Sequence, residues 1–388
     1  VVLSGDLFNL YVFLEIAAIA SYALVAFGIE KEELEAAFKY QVLGCVSSMF
    51  ILLSVGIIYW NTSTLNIADV SRLVAAGEGG KLVTFAQVIF LTGFGLKAAM
   101  IPFHAWLPDA HSSAPSPISS MLSGVLIKAI GAYVILRLFF NMFALSYEIS
   151  MVITIVGVLS MVIGVLLAIG QWDIKRLLAY HSISQMGYVV LGVGIGMLVL
   201  ARNGDRSVAV LSIAGGLFHL FNHAVFKGLL FLNAGAVEYR TGIRDMKKLG
   251  GLSEKMPVTT STTLGASMSI SGIPPFNGFF SKLIIIIAAI QAQYYVLSIL
   301  AVFVSIITLA SFLKVQRFTF FNKTLGAEDR HRDVKEVPFP MCFSMIFMAV
   351  LCIALSLLVV PSVRDAVLTP AVNVLVETAK YSNTVLGY

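Results

Sequence analysis

The stretch Gly95-Leu96-Lys97-Ala98-Ala99-Met100-Ile101-Pro102-Phe103-His104-Ala105-Trp106-Leu107-Pro108-Asp109-Ala110-His111 decides how the chain must be read. It closes an apolar run, yet it holds a lysine, two histidines and two prolines. Proline removes a backbone donor and clashes with the preceding turn. In hydrocarbon the freed carbonyls need partners, so a broken helix survives only inside protein or beside a wet cavity. A second such place is Ser271-Gly272-Ile273-Pro274-Pro275-Phe276-Asn277-Gly278. Two Pro-interrupted helices five spans apart suggest two related halves around central sites. Two ordinary proline kinks are the plainer alternative.

The composition makes hydrocarbon the solvent. Hydrophobic residues are 58% and charged residues 12% of 388, with a mean hydropathy of +0.91. Soluble domains carry about 25% charged residues, so this chain lacks the charged skin that water requires. Spans of about 20 apolar residues fall at roughly 3–28, 39–60, 83–103, 116–140, 148–170, 176–200, 207–236, 261–288, 293–316 and 339–360. The reading is an all-α integral membrane protein of about ten transmembrane helices. A short amphipathic helix near 364–380 is expected to lie on the surface or against a partner.

The net charge of +5 comes from short loops between apolar runs. It sets membrane orientation and gives no reason to expect nucleic-acid binding. Lys and Arg are about twice as frequent in one set of alternate loops, chiefly 237–258 and 317–336, which should face the cytoplasm. Cys45, Cys342 and Cys352 lack CxxC spacing and read as packing residues. The chain opens on Val1 inside an apolar run without a basic leader, so further residues are expected upstream.

With Lys39, Arg137 and Arg176 at span ends counted in the loops, the cations left inside spans are Lys97, Lys128, Lys227, Lys282 and Lys314, and none is arginine. Arginine stays protonated when desolvated, whereas a buried lysine can release and regain a proton. Each buried charge costs at least about 2.5–3.5 kcal/mol on insertion scales, so the five require partners or a function. Glu15 is the one clear mid-span acid. Lys314, near Arg317, is expected to snorkel to the interface.

His219, His223 and Lys227 are spaced i, i+4, i+8, with Asn222 beside them, one stripe of a helix. Histidine relays protons near neutral pH. A His pair at this spacing can also bind metal, but the third position is lysine and no carboxylate follows, so proton relay is favoured and no metal is expected. His104, seven residues after Lys97, shares its face if the helix persists past Pro102. His104 and His111 are secondary candidates. His181 is expected in a satisfied, packed polar cluster.

The string from Gly95 to His111, then Ala114-Pro115-Ser116-Pro117-Ile118-Ser119 and Leu122-Ser123-Gly124-Val125-Leu126-Ile127-Lys128, resembles a known signature. It is similar to that of the antiporter-like subunits of respiratory complex I, membrane-bound hydrogenases and Mrp-type sodium/proton antiporters. His219 to Lys227 and Gly272 to Lys282 resemble later motifs of that family, and the likeness extends to about residue 320. The resemblance implies fourteen helices with two inverted five-helix repeats, each holding a broken helix near a half-channel. Residues 1–140 would be the first repeat, 148–288 the second, and 289–388 the C-terminal helices and tail. The first span here matches the fifth family helix. Four family helices thus have no counterpart, and the first repeat lacks one. Glu15 matches the acid that pairs with Lys97, and Lys128 the lysine of the next helix. His223 and Lys227 match the central polar axis, and Lys282 the lysine of the second broken helix.

The expected function is ion translocation, of protons alone or of protons and sodium, along Glu15, Lys97, Lys128, His219, His223, Lys227, Lys282 and water. The chain shows no redox fingerprint and no cofactor is expected in it. Driving energy would come from other membrane subunits, further antiporter-like subunits among them, or from an ion gradient. The setting would be a redox complex such as a hydrogenase or NADH-dehydrogenase-like enzyme in the cytoplasmic membrane of a prokaryote. A gradient-driven Mrp-type antiporter is the alternative, and Gly5-Asp6-Leu7-Phe8-Asn9-Leu10 resembles the antiporter and hydrogenase branches. An organic-solute transporter is a further alternative, with a roomier mid-membrane site. A structural scaffold would leave the lysines unexplained.

Overall fold

The computed structural model describes residues 1–77, 80–126, 131–322 and 333–387. Among these the regular elements are all helices, because a helix satisfies its own backbone in lipid. They are α1 (Leu7–Val25), α2 (Lys31–Thr62), α3 (Ile67–Ala75), α4 (Gly80–Lys97), α5 (Trp106–Ser113), α6 (Ser116–Met121) and α7 (Tyr133–Asn141). The long α8 (Tyr147–Ile169), α9 (Ile174–Ala201) and α10 (Arg206–Thr241) follow. Then come α11 (Pro257–Ser271), α12 (Asn277–Gln291), α13 (Tyr295–Val315), α14 (Phe339–Ala354), α15 (Pro361–Val376) and α16 (Thr378–Leu386).

Among the described residues, seven helices are long and apolar enough to cross a bilayer. They are α1, α2, α8, α9, α10, α13 with its continuation to Phe321, and α14 with its continuation to Val359. The other three expected spans are interrupted. The 83–103 span is α4, which stops at Lys97, and the 261–288 span is α11 and α12 around the Pro274-Pro275 link. The 116–140 span was expected to be a plain helix, and its described residues depart from regular α geometry. It starts as α6, passes into a π-helical turn at Leu122–Leu126, and is α-helical from Tyr133. The Ser123 hydroxyl in that turn lies 2.9 Å from the Ser182 hydroxyl, which ties the turn to α9.

Polar residues mark several starts. The carboxylates of Asp6, Asp173 and Asp205 accept backbone N–H bonds at the first turns of α1, α9 and α10, the preferred N-cap chemistry. Asp205 lies between spans, and its bonds from Ser207 hold the carboxyl below the usual carboxylate range. The C-terminal segment forms two helices where one was expected. The first, α15, packs on α7 and α10, and the second, α16, on α3. Asn141 Nδ2 donates to Val374 O at 2.8 Å, and Arg206 pairs with Glu377 at 3.1 Å.

The hub is α9, whose most apolar window is 94% buried while the flanking helices show lipid-facing sides. It packs along α8 on one side and α10 on the other. Glycine allows this closeness, since membrane helices gain from backbone approach at small residues. A Cβ on Gly187 would sit 2.3 Å from Met161 N and 2.6 Å from Gly157 O, backbone atoms of α8. On the other side a Cβ on Gly192 would meet the Gly216 backbone of α10 at 3.1 Å. Gly187→Ala should therefore force α8 and α9 apart at a cost of about 1–3 kcal/mol, read as a lower Tm in detergent. Gly56→Ala, where the added Cβ meets nothing within 4 Å, should leave Tm unchanged or raise it.

Candidate functional site

The first broken helix ends with its lysine in place. Lys97 closes α4, where the C-terminal end of the helix dipole favours a cation. Its ammonium is 3.0 Å from Glu15 Oε1 of α1 and 3.2 Å from Ser48 Oγ of α2. Ser48 in turn donates to Glu15 Oε1 at 2.5 Å. Lys97 is buried, and Glu15 keeps 23% of its side chain exposed. Beside Lys97 is a cavity of about 20 Å³, bordered by Tyr22, Tyr40, Trp106 and Leu126, room for about one water.

The break beyond Lys97 is stitched by side chains. Trp106 Nε1 donates to Leu96 O at 3.0 Å, and Ser160 Oγ accepts from Ile101 N at 3.0 Å. Ala99 sits at φ +53°, a left-handed conformation that costs a residue with a Cβ about 1–3 kcal/mol. The helix does not persist past Pro102, so His104 does not share the Lys97 face. It lies on the link to α5, half-buried, with its ring 6.4 Å from that of Tyr180. His111, fully buried on α5, packs its ring 4.8 Å from Phe231 of α10, one turn from Lys227. Lys128 lies outside the described residues.

A second polar file fills the interface of α9, α10 and α12. His219 Nδ1 is 2.9 Å from Ser281 Oγ of α12, and Nε2 is 3.2 Å from Gln185 Oε1 of α9. Asn222 and Asn277 are locked together: Asn222 Nδ2 reaches Asn277 O at 3.0 Å, and Asn277 Nδ2 reaches Asn222 Oδ1 at 2.9 Å. His223 and Lys227 continue the stripe and are fully buried. Lys227 Nζ donates to Leu178 O of α9.

At the second broken helix the lysine again meets the broken end. Lys282 Nζ donates to Ile270 O at 2.8 Å and to Ser305 Oγ at 3.1 Å, with the Tyr188 ring 4.7 Å away. Ile270 is in the last turn of α11, so the ammonium answers a carbonyl that the break left without its helical donor. Gly272 follows at φ +78° as the left-handed cap. Because Ser281 and Lys282 are adjacent, α12 joins His219 to this end. Lys314 is half-buried and donates to Ile169 O and Gln171 O at 2.6 and 2.7 Å, at the end of α8.

Four residues were either unmarked by sequence pattern or stand otherwise than expected. Ser48 is one hydroxyl in an apolar helix. Lys175, expected in a loop, is 2% exposed and paired with Glu238 at 2.5 Å. His181 is fully buried against Phe312, and neither ring nitrogen has a hydrogen-bond partner among the described residues, contrary to the satisfied cluster expected. Gln185, which holds His219, is the fourth. A carboxylate at Glu238, ending the helix of the His–Lys stripe, was the available clue to Lys175.

A lysine beside each broken helix end, with a His–Lys stripe between, defines a polytopic helical membrane protein built on interrupted helices. The chain belongs to the family described as NADH:quinone oxidoreductase/Mrp antiporter, whose model matches residues 4–308. It is 36% identical over 315 residues to an NADH-quinone oxidoreductase subunit of Desulforudis audaxviator, covering 80% of this chain and 60% of that one. It is 36% identical over 330 residues to an Na(+)/H(+) antiporter subunit of Alkalihalophilus pseudofirmus, covering 84% and 64%. A chain of the Mrp complex from Dietzia sp. superposes with a TM-score of 0.88 at 29% identity, covering 99% of this chain and 77% of that one. The chain thus spans about 60% of the length of the curated relatives it matches.

The polar file also sets stability. Asn222→Leu strands the Asn277 amide and should cost about 1–3 kcal/mol, the penalty for a buried unmet donor. The readout is a lower Tm of the detergent-solubilised protein. An unchanged Tm would mean that water replaces the lost partner.

Proposed function

We propose that this chain translocates protons as an antiporter-like subunit of a membrane-bound redox complex. The observation that supports it is the arrangement of lysines. Lys97 shares Glu15 with a serine, Lys227 rests on a carbonyl of α9, and Lys282 rests on a helix end and a serine. These settings suit a group that gains and loses charge, and a lysine can give its proton away where arginine cannot. Glu15 is the counter-charge that decides when Lys97 holds its proton. Separating the pair lowers the proton affinity of Lys97 and sends the proton toward Lys128. His219, His223 and Lys227 then carry it to Lys282, with His104 and His111 as secondary groups. The chain contributes no redox cofactor to this reading, so the energy enters from partner subunits, including further antiporter-like ones, in the cytoplasmic membrane of a prokaryote.

The second reading, a subunit of a gradient-driven sodium/proton antiporter, is supported by the likeness to the Mrp chain. The same residues would serve there. Co-purification with iron–sulfur subunits separates the two. An organic-solute transporter is disfavoured, because the space beside Lys97 is about 20 Å³.

Lys97→Ala in the assembled complex, reconstituted in vesicles, tests the reading. Removing a required proton donor should slow proton uptake by about a hundredfold. Wild-type uptake by a fully assembled variant complex would refute the role of Lys97.

A further inference from the structure

A set of buried polar atoms lies outside the path just described. Asn233 Nδ2, Ser271 Oγ, Gln316 Oε1 and Thr319 Oγ1 have no hydrogen-bond partner among the described residues, and all four residues are at most 4% exposed. Buried polar atoms are paired in the great majority of cases, and leaving one dry costs about 1–3 kcal/mol. These four fall along one seam, where α11 faces the end of α13 and α10.

The seam can be followed step by step from Lys282. Its ammonium meets Ser305 Oγ, which donates to Ser271 O at 3.1 Å. One turn back along α11, Ser267 Oγ accepts from Gln316 Nε2 at 3.1 Å. A further turn back, Thr263 borders a cavity of about 10 Å³ together with Asn233 and Thr319. That is about the smallest space that holds a water. Thr263 donates to Thr259 O at 2.6 Å, and Thr259 Oγ1 donates to Glu336 Oε1 at 2.7 Å. Glu336 also caps α11, accepting from Val258 N and Thr259 N at 2.8 and 3.1 Å.

Backbone geometry marks the same place. Gln316 and Thr319 lie in a π-helical turn, Gln316–Phe321, that extends α13. Such turns interrupt the regular ladder and occur often at functional sites. Glu336 alone would be only a helix cap. The unpartnered polar atoms and the cavity behind it make the seam a place for water.

We propose that α11, the π turn and α10 enclose a water-binding lane that conducts protons between Glu336 and Lys282, separate from the His219–Lys227 stripe. The lane rests on the proton-translocation reading and adds a second access route to it. A proton taken up by the Glu336 carboxylate passes along water and hydroxyls to the neutral amine of Lys282. Each hydroxyl or water accepts one proton and releases another, so no group in the lane changes once its O–H bonds have turned back. The lane opens at the end of the molecule that carries residues 242–256, where Ser253 N donates to Phe320 O.

The test uses the assembled complex and two readouts. One is a structure at a resolution that shows water; an ordered oxygen within hydrogen-bond distance of Asn233, Gln316 or Thr319 is expected. The other is proton uptake in vesicles by the Thr263→Val, Thr319→Val double variant, which keeps shape and removes both hydroxyls. Uptake should fall about tenfold with assembly intact, about 1.4 kcal/mol of barrier. Glu336→Gln, which keeps an acceptor oxygen for the α11 cap but cannot carry a proton, should fall equally. Valine variants with full uptake and a raised Tm would mean dry, idle hydroxyls and would overturn the lane. If the wild-type complex moves no protons, the proposed function fails, and the water density alone decides the lane.

Discussion

An ammonium group inside hydrocarbon must meet an anion, a bare carbonyl or water, and this requirement organises the molecule. The described lysines meet it in three ways. Lys97 and Lys175 face the carboxylates of Glu15 and Glu238. Lys282 and Lys314 face carbonyls at helix ends, where the last turn leaves acceptors without helical donors. Lys227 reaches a carbonyl of the neighbouring α9. The broken helices therefore do more than tolerate proline. They leave carbonyls free at depth, and a side chain takes them up: Trp106 donates to Leu96 O at the first break and Lys282 to Ile270 O at the second.

The same requirement explains why α9 is so deeply buried. Its glycines bring α8 and α10 within backbone contact, and its polar side is what α10 needs. Gln185 receives His219, Leu178 receives Lys227, and His181 lies between these levels. Outward-facing positions of α1, α2 and α13 remain apolar and exposed, as lipid or neighbouring membrane subunits would require. Among the described residues, the buried lysines and histidines lie along the interior seams.

Much of this was legible in the sequence, for physical reasons. Apolar length located the spans, prolines located two of the breaks, and helical spacing aligned His219, His223 and Lys227. What could not be read depended on residues far apart in the chain. The burial of Lys175 is set by Glu238, which lies on a different helix. The setting of His181 is fixed by Phe312 from α13. His104 would have shared the face of Lys97 only on a helix that persisted past Pro102, and α4 ends at Lys97. The π turn at Leu122–Leu126 holds no proline of its own. The Lys97–Glu15 pairing came from family resemblance, since a single acid could have served any of five lysines.

The central claim is that these lysines are proton carriers and not fixed charges. Lys282→Arg tests it most directly, because arginine keeps the positive charge and the hydrogen-bond donors but does not release its proton. The measurement is proton uptake by vesicles holding the assembled variant complex. The account predicts a loss of uptake as deep as that of Lys282→Ala. Uptake near the wild-type rate with arginine at 282 would show that charge alone suffices, and would contradict it.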